Sequence, residues 1–274
     1  MDKSLFPVTG CCRSGKGIQR MRSATLTSKT WRHLKKQLTA DCRCELCMGS
    51  LDEQHRVFLC SSCHRELPNP PPSCSQCSEP LLFIEQYGRN QRCKKCQLQP
   101  PDYDYSHYRF LFQPPIDLWI RAAKDKHQEH WLTRLSMLML ESPPPALSSV
   151  DGLVYVPSHW WTRLKRGYNP AAVLARRISQ QTQTPIYHQA LTKSWSRDQR
   201  HLGVRERRQN LSQTLRAGKA QFHGEHLLII DDVMTTGSTA AAAARILKQR
   251  GAGIVGVWAL ARTPPRGFLR HNAR

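Results

Sequence analysis

Apolar and polar residues alternate most regularly in the middle and C-terminal parts of the chain. Tyr103, Tyr105, Tyr108, Phe110 and Phe112 recur at a spacing that suits a strand. Pro114-Pro115 then opens a helix with Ile116, Trp119, Ile120 and Ala123 on one face, and Trp131, Leu132, Leu135, Leu138 and Met139 predict a second. These aromatic residues could stack on bases, but at such periods they read as core. Pro143-Pro144-Pro145 closes this unit as a linker. From Asp151 onward strands and helices alternate. Leu153 to Val156 is a short strand stopped by Pro157, and Asn169 begins a helix through about Gln180. Ile186 to Leu191 and Leu227 to Asp232 predict two further strands, and a helix then ends near Arg250 and Gly251. Ile254 to Ala261 is the last strand. This alternation implies an α/β fold with a parallel sheet covered on both faces and ligands at the carboxyl ends of its strands.

The first hundred residues lack that pattern and carry another. Cys44-x2-Cys47 is followed after twelve residues by Cys60-x2-Cys63, and Cys74-x2-Cys77 after fifteen by Cys93-x2-Cys96. Each pair suits a knuckle turn, and two knuckles close one tetrahedral four-cysteine zinc site. Disulfides do not suit a cytosolic chain, and buried structural cysteines would not recur at a fixed interval. Two structural zinc ions held by Cys44, Cys47, Cys60, Cys63, Cys74, Cys77, Cys93 and Cys96 are expected. Sequential pairing is simplest, and Pro68-Asn69-Pro70-Pro71-Pro72 between the second and third knuckles favours separate modules. An interleaved cross-brace stays open. Cys11, Cys12 and Cys42 are left over.

The formal charge of +21 and a pI near 10.0 change the picture of the partner. Two zinc thiolate sites would lower the charge only to about +17. A polyanion, most simply nucleic acid, fits that excess. His64, Arg65, Arg89, Arg92, Lys94 and Lys95 around the knuckles are contact candidates. Residues 1–41 form a basic arm read as disordered; its first forty residues hold nine Lys or Arg against Asp2 alone. Gly10 to Gly17 nearly matches a phosphate-binding Walker loop, but Gly17 replaces the hydroxyl that would hold magnesium and Pro7 breaks the preceding strand. Met21 is an alternative start to Met1. No apolar run approaches the roughly 18 residues a membrane span needs, and no secretory signal is recognisable, so a cytoplasmic protein is expected.

The chemistry centres on Leu227-Leu228-Ile229-Ile230-Asp231-Asp232-Val233-Met234-Thr235-Thr236-Gly237-Ser238-Thr239, followed by five alanines. A buried strand ending on two carboxylates runs through a hydroxyl-rich loop into a helix. Such a loop offers unpaired N–H groups and the positive end of the helix dipole to a phosphate. The acidic pair suits sugar hydroxyls or a metal shell, so the two halves together describe a ribose 5-phosphate site. This run closely resembles the phosphoribosyl-pyrophosphate (PRPP) loop of type I phosphoribosyltransferases.

The wider layout resembles the competence protein F / GntX-like family. It combines the cysteine knuckles, the aromatic strand and helices, Val156-Pro157, Arg166-Gly167-Tyr168-Asn169, a basic loop and the Asp-Asp-Thr-Thr-Gly loop. The resemblance covers residues 42–262. It implies a double zinc ribbon over 42–100, an aromatic strand and helices over 101–148, a phosphoribosyltransferase-like domain over 149–264, a basic tail over 265–274, and a link to DNA uptake or utilisation. It also implies that Asp231 and Asp232 bind the ribose hydroxyls, that Thr235, Thr236, Gly237, Ser238 and Thr239 hold the 5-phosphate, and that Mg²⁺ accompanies PRPP. Arg163, Lys165 and Arg166 would support the leaving pyrophosphate, with Arg166 the favoured catalytic residue. Gln199, Arg205, Arg208 and Asn210 match a mobile hood, in a segment from Leu191 to Lys219 with eight Lys or Arg. Pro170 departs from the family, which has a polar amide there. Two functions are consistent with these features: phosphoribosyl transfer to an unknown acceptor, or a non-catalytic PRPP or nucleotide sensor that binds single-stranded DNA and competence proteins. A zinc protein whose α/β domain is only scaffold fits the intact loop less well.

Overall fold

The computed structural model describes residues 43–51, 58–81, 92–158, 166–193, 215–265 and 268. The chain divides into two compact units, Met1–Leu67 and Pro68–Arg274, so the division falls between the two sets of cysteines.

In the smaller unit, an antiparallel bridge between Arg43 and Ser50 brackets the first knuckle. The Cys44 N–H donates to Gly49 O and the Met48 N–H to Cys44 O, with Met48 at a φ of 60° closing the turn. Cys60 then caps helix α1 (Ser61–Arg65). Among the described residues of this unit, Cys44, Phe58, Leu59 and Leu67 are the buried apolar ones.

The same local plan recurs at the start of the larger unit. Ser73 bridges Pro80, the Cys74 N–H donates to Glu79 O, Ser78 takes a φ of 54°, and Cys93 caps helix α2 (Lys94–Leu98). The surroundings differ, because this second knuckle pair lies in the core of an α/β domain. Cys74, Cys77, Cys93 and Cys96 share one buried cluster with Tyr103, Leu227, Ile229, Val255 and Val257.

The sheet has the order β1-β6-β5-β2, with all three pairings parallel. Its strands are β1 (Tyr105–Leu111), β2 (Gly152–Tyr155), β5 (His226–Met234) and β6 (Ile254–Arg262). The aromatic strand is therefore an integral edge strand, with Tyr105 opposite Gly256 and Phe110 opposite Ala261. Helix α3 (Ile116–Asp125) follows β1, and helix α4 (His130–Leu140) packs on α3, β1, β6 and helix α5 (Pro170–Thr182). Helix α6 (Ser238–Gln249) packs with the antiparallel pair β3 (Leu191–Lys193) and β4 (Leu215–Ala217). Alternation along β5 sends Leu227 and Ile229 to the face shared with the cysteines, and Leu228 and Ile230 to the other. Of the aromatic residues expected in the core, Tyr103, Tyr108, Phe110, Trp119 and Trp131 are buried, whereas Tyr105 and Phe112 are only half-buried.

Two sequence expectations need correction. The run from Ile186 to Leu191 does not form a strand: Ile186 makes a single bridge to Leu153, and a turn closed by Ala190 N–H to Tyr187 O interrupts it. Leu191 instead starts β3. Strand β5 also runs past Asp232 to Met234, because β6 extends alongside it to pair Met234 with Arg262.

Candidate functional site

The carboxyl ends of β2 and β5 bring the sequence-singled residues together. Asp231 and Asp232 are half-buried near the end of β5. Each carboxylate accepts the N–H of the following residue, Asp232 N–H to Asp231 Oδ1 at 2.9 Å and Val233 N–H to Asp232 Oδ1 at 2.8 Å. Burial, and then the charge of Asp232, push the Asp231 carboxyl up to about 8, with Lys124 working the other way. Lys193 at the end of β3 is held below the ordinary lysine range by burial, partly offset by the charge of Asp231.

The loop Thr235–Gly237 leads straight into α6. Thr235, Thr236 and Ser238 are exposed, Thr239 is half-buried, and Thr236 Oγ1 donates to Ser238 Oγ at 3.0 Å. Gly237 occupies the N-cap at a φ of 77° and offers no side chain to cap the helix. Backbone donors and hydroxyls thus share one solvent-facing corner, as an oxyanion site requires. Tyr103 Oη lies 3.0 Å from where a Cβ on Gly237 would sit, so the buried tyrosine backs the loop.

Beyond β2, Asn169 caps α5: its Oδ1 accepts the Ala171 N–H at 3.2 Å and its Nδ2 donates to Val156 O at 2.9 Å. Pro170 sits buried at the first helical position, where a missing N–H does no harm. Arg166 Nε donates to Lys124 O at 2.6 Å, and Tyr168 Oη donates to Ala123 O. The Arg166-Gly167-Tyr168 turn therefore grips the end of α3. Arg163, Lys165, Gln199, Arg205, Arg208 and Asn210 lie outside the described residues.

Lys124 is the residue that sequence reading missed. Its Nζ is 2.6 Å from Asp232 Oδ2. Periodicity marks Lys124 only as the polar neighbour of Ala123 on an amphipathic helix, and nothing local signals where that helix docks.

Because Asp231 titrates far above an ordinary carboxyl, its folded-state proton stabilises the fold at low pH, and this contribution is lost as pH rises through about 8. Thermal melts of the wild type should therefore drop between pH 6 and pH 9, by up to about 2 kcal/mol in stability. In Asp231→Asn that component should vanish; parallel pH profiles would exclude the raised carboxyl.

The eight cysteines form two tetrads in sequential pairing, Cys44, Cys47, Cys60, Cys63 and Cys74, Cys77, Cys93, Cys96, with the sulfurs of each within 4.8 Å of one another. This decides against the cross-brace. A tetrahedral zinc thiolate with Zn–S near 2.3 Å has S···S edges of about 3.8 Å. The Sγ atoms of Cys47 and Cys60, and of Cys77 and Cys93, are each 3.7 Å apart. The Cys93 N–H donates to Cys74 Sγ at 3.3 Å, a bond that favours a thiolate. A hydrogen bond from Cys77 holds the Cys74 thiol down to about 4 against burial, and the same contact with burial pushes Cys77 far up. Four thiols this close cannot all ionise by themselves, and a divalent cation relieves that conflict. The donor set therefore fits zinc. Around the tetrads Arg65, Arg92, Lys94 and Lys95 are exposed and His64 is half-buried, whereas Arg89 lies outside the described residues. No described helix is long and apolar enough to cross a membrane.

Comparison with known proteins agrees with this architecture. Residues 164–271 match the phosphoribosyl transferase domain. The DNA utilization protein YhgH of Escherichia coli O157:H7 is 30% identical over 236 residues, covering 82% of this chain and 99% of that protein. Competence protein F of Haemophilus influenzae is 28% identical over 228 residues, covering 80% and 96%. A solved purine phosphoribosyltransferase from Pyrococcus horikoshii Ot3 aligns at 14% identity and a TM-score of 0.29 over 58% of this chain and 87% of that one, and adds nothing to the assignment. A parallel α/β sheet, two cysteine tetrads, a phosphoribosyl transferase domain and near full-length similarity place the chain in the family of competence protein F and YhgH.

Proposed function

We propose that the chain binds PRPP together with Mg²⁺ and acts in DNA uptake or utilisation in the cytoplasm. The observation that carries this is the placement of Asp231 and Asp232 on the strand that runs directly into the Thr235–Thr239 loop at the start of α6. Asp231 and Asp232 are assigned to the ribose hydroxyls, and Thr235, Thr236, Gly237, Ser238 and Thr239 to the 5-phosphate. Mg²⁺, bound through the ligand's own oxygens, would offset charge building on a leaving pyrophosphate. Arg166, whose Nε is engaged with α3, is assigned to the pyrophosphate side. Zinc is assigned to both tetrads as a structural ion.

The second reading is a sensor without turnover, in which the basic surface engages single-stranded DNA. It is favoured by the charge of +21 and by exposed Arg65, Arg92, Lys94 and Lys95 beside the tetrads. It also suits relatives named for competence and DNA utilization.

Calorimetry of PRPP with and without Mg²⁺ tests the shared site. Binding should be lost in Asp231→Asn/Asp232→Asn, and equal affinity in both proteins would refute it. Pyrophosphate release in the presence of a panel of bases and amines then separates the enzyme, which should turn over with one of them, from the sensor. Run with a single-stranded oligonucleotide across a salt series, the same calorimetry should show affinity falling steeply with salt. A flat response would remove the DNA partner.

A further inference from the structure

Two carboxylates are an awkward neighbour for a ligand made mostly of phosphate. PRPP carries several negative charges, and a bare Asp232 carboxylate in the same pocket, beside an Asp231 that keeps its proton up to about pH 8, would repel it. The chain meets this with a cation from elsewhere. Lys124 Nζ is 2.6 Å from Asp232 Oδ2, with the two side chains only 27% and 13% exposed. A pair this sheltered is screened far less than one on the surface.

The position of Lys124 is over-determined. On one side of α3, Ile116, Trp119, Ile120 and Ala123 are buried, and Trp119 stacks on Trp131 of α4 at 5.0 Å and 11°. On the other, three hydrogen bonds tie its end to the 166–168 turn. Arg166 Nε donates to Lys124 O, Tyr168 Oη donates to Ala123 O, and His127 Nδ1 lies 3.1 Å from Arg166 O. The backbone that carries Lys124 is held by the very turn that sequence reading assigned to pyrophosphate. Helix α3 lies outside the residues that match the phosphoribosyl transferase domain, which begin at 164. The segment before that domain therefore supplies part of the site.

The geometry points to Lys124 as a charge-compensating, positioning residue of the sugar-phosphate site, orienting Asp232 and cancelling its charge so that a polyanionic ribose phosphate can enter. This rests on the reading that Asp231 and Asp232 face the ribose. With Lys124 on Oδ2 and the Val233 N–H on Oδ1, Asp232 is fixed in one orientation before ligand arrives. Each carboxylate oxygen has a second lone pair, so a ribose hydroxyl can bind without breaking either contact.

PRPP titrated calorimetrically into the full chain tests this with Lys124→Met, Lys124→Arg, Asp232→Asn and the double variant Lys124→Met/Asp232→Asn. Lys124→Met should weaken affinity about tenfold, as loss of a sheltered charge pair does. Lys124→Arg should stay within about threefold of the wild type, since the charge is kept. In the Asp232→Asn background Lys124→Met should change affinity by less than about twofold, because its partner is gone. Circular dichroism identifies any variant that fails to fold, and Lys124→Arg then decides the outcome on its own. If Lys124→Met binds as well as the wild type or more tightly, or if its effect adds fully to that of Asp232→Asn, Lys124 has no such role. If Asp232→Asn weakens binding and Lys124→Met does not, the ribose reading stands and the lysine assignment alone falls. A wild type that binds no PRPP overturns both.

Discussion

Cys77→Ala is expected to abolish the cooperative unfolding transition of the larger unit, whereas Cys47→Ala should leave that transition in place. The two residues have equivalent positions in equivalent knuckles, and their surroundings differ. Cys47 is exposed in a unit whose described residues bury only Cys44, Phe58, Leu59 and Leu67 among the apolar ones. Cys77 is buried in the cluster that contains Leu227, Ile229, Val255 and Val257. The knuckle around it is bonded to β1 at several points. Ser78 Oγ donates to Ser106 O at 2.6 Å, Ser106 Oγ to Gln76 O at 2.8 Å, and Arg109 Nη1 to Asn69 Oδ1 at 2.6 Å. A structural zinc site contributes roughly 10–16 kcal/mol of folding energy. A whole domain is stable by only about 5–15 kcal/mol. Opening the second tetrad therefore removes as much as the domain has, and exposes the face of the sheet that the knuckle covers. Thermal melts with zinc analysis check this: both variants should lose about one zinc per chain, and only Cys77→Ala should lose the main transition. Identical melts for the two would mean that the second tetrad is not part of the core.

Gly237→Ala is expected to cripple ligand binding at the loop while the protein stays folded. At a φ of 77°, an alanine here costs about 1–2 kcal/mol in backbone strain. Its Cβ would also lie 3.0 Å from Tyr103 Oη and 3.8 Å from Met234 Sδ. Tyr103 is 2% exposed and packed in the core, so the loop must give way. Since the proposed phosphate site is made of loop backbone and hydroxyls, even a small displacement would spoil several donors at once. PRPP affinity should fall by about thirtyfold or more, the equivalent of losing at least one charge-assisted hydrogen bond. Gly224→Ala is the matched control. It has a φ of 102°, but nothing lies within 4 Å of the added Cβ. It should show a similar fall in melting temperature and unchanged affinity. Equal affinity for Gly237→Ala and wild type would remove the loop from the site.

Several features can be read from residues close together in the chain. Apolar spacing marks β1, β5, β6 and four of the helices because burial of one face imposes the period. The Cys-x2-Cys pairs are legible because a knuckle needs its two ligands three residues apart. Asn169 announces the start of α5 through its own capping side chain. Failures occur where local pattern is ambiguous. Ile186 to Leu191 has the length and apolarity of a strand, but after Pro185 it finds only one bridging partner before it turns. Pairing of the cysteines was likewise open, since spacing fits both sequential and interleaved closure.

The sequence by itself determined the strand–carboxylate–loop–helix unit, the two sets of zinc-type ligands and the alternating α/β pattern, because each is set by neighbours within a few turns of chain. Only the tertiary structure decided which elements those units meet. It placed β1 in parallel beside β6, buried the second tetrad against the sheet while the first stands in a separate unit, and brought Lys124 to Asp232. These contacts join residues far apart in sequence. They depend on which faces pack together, and no local spacing records that.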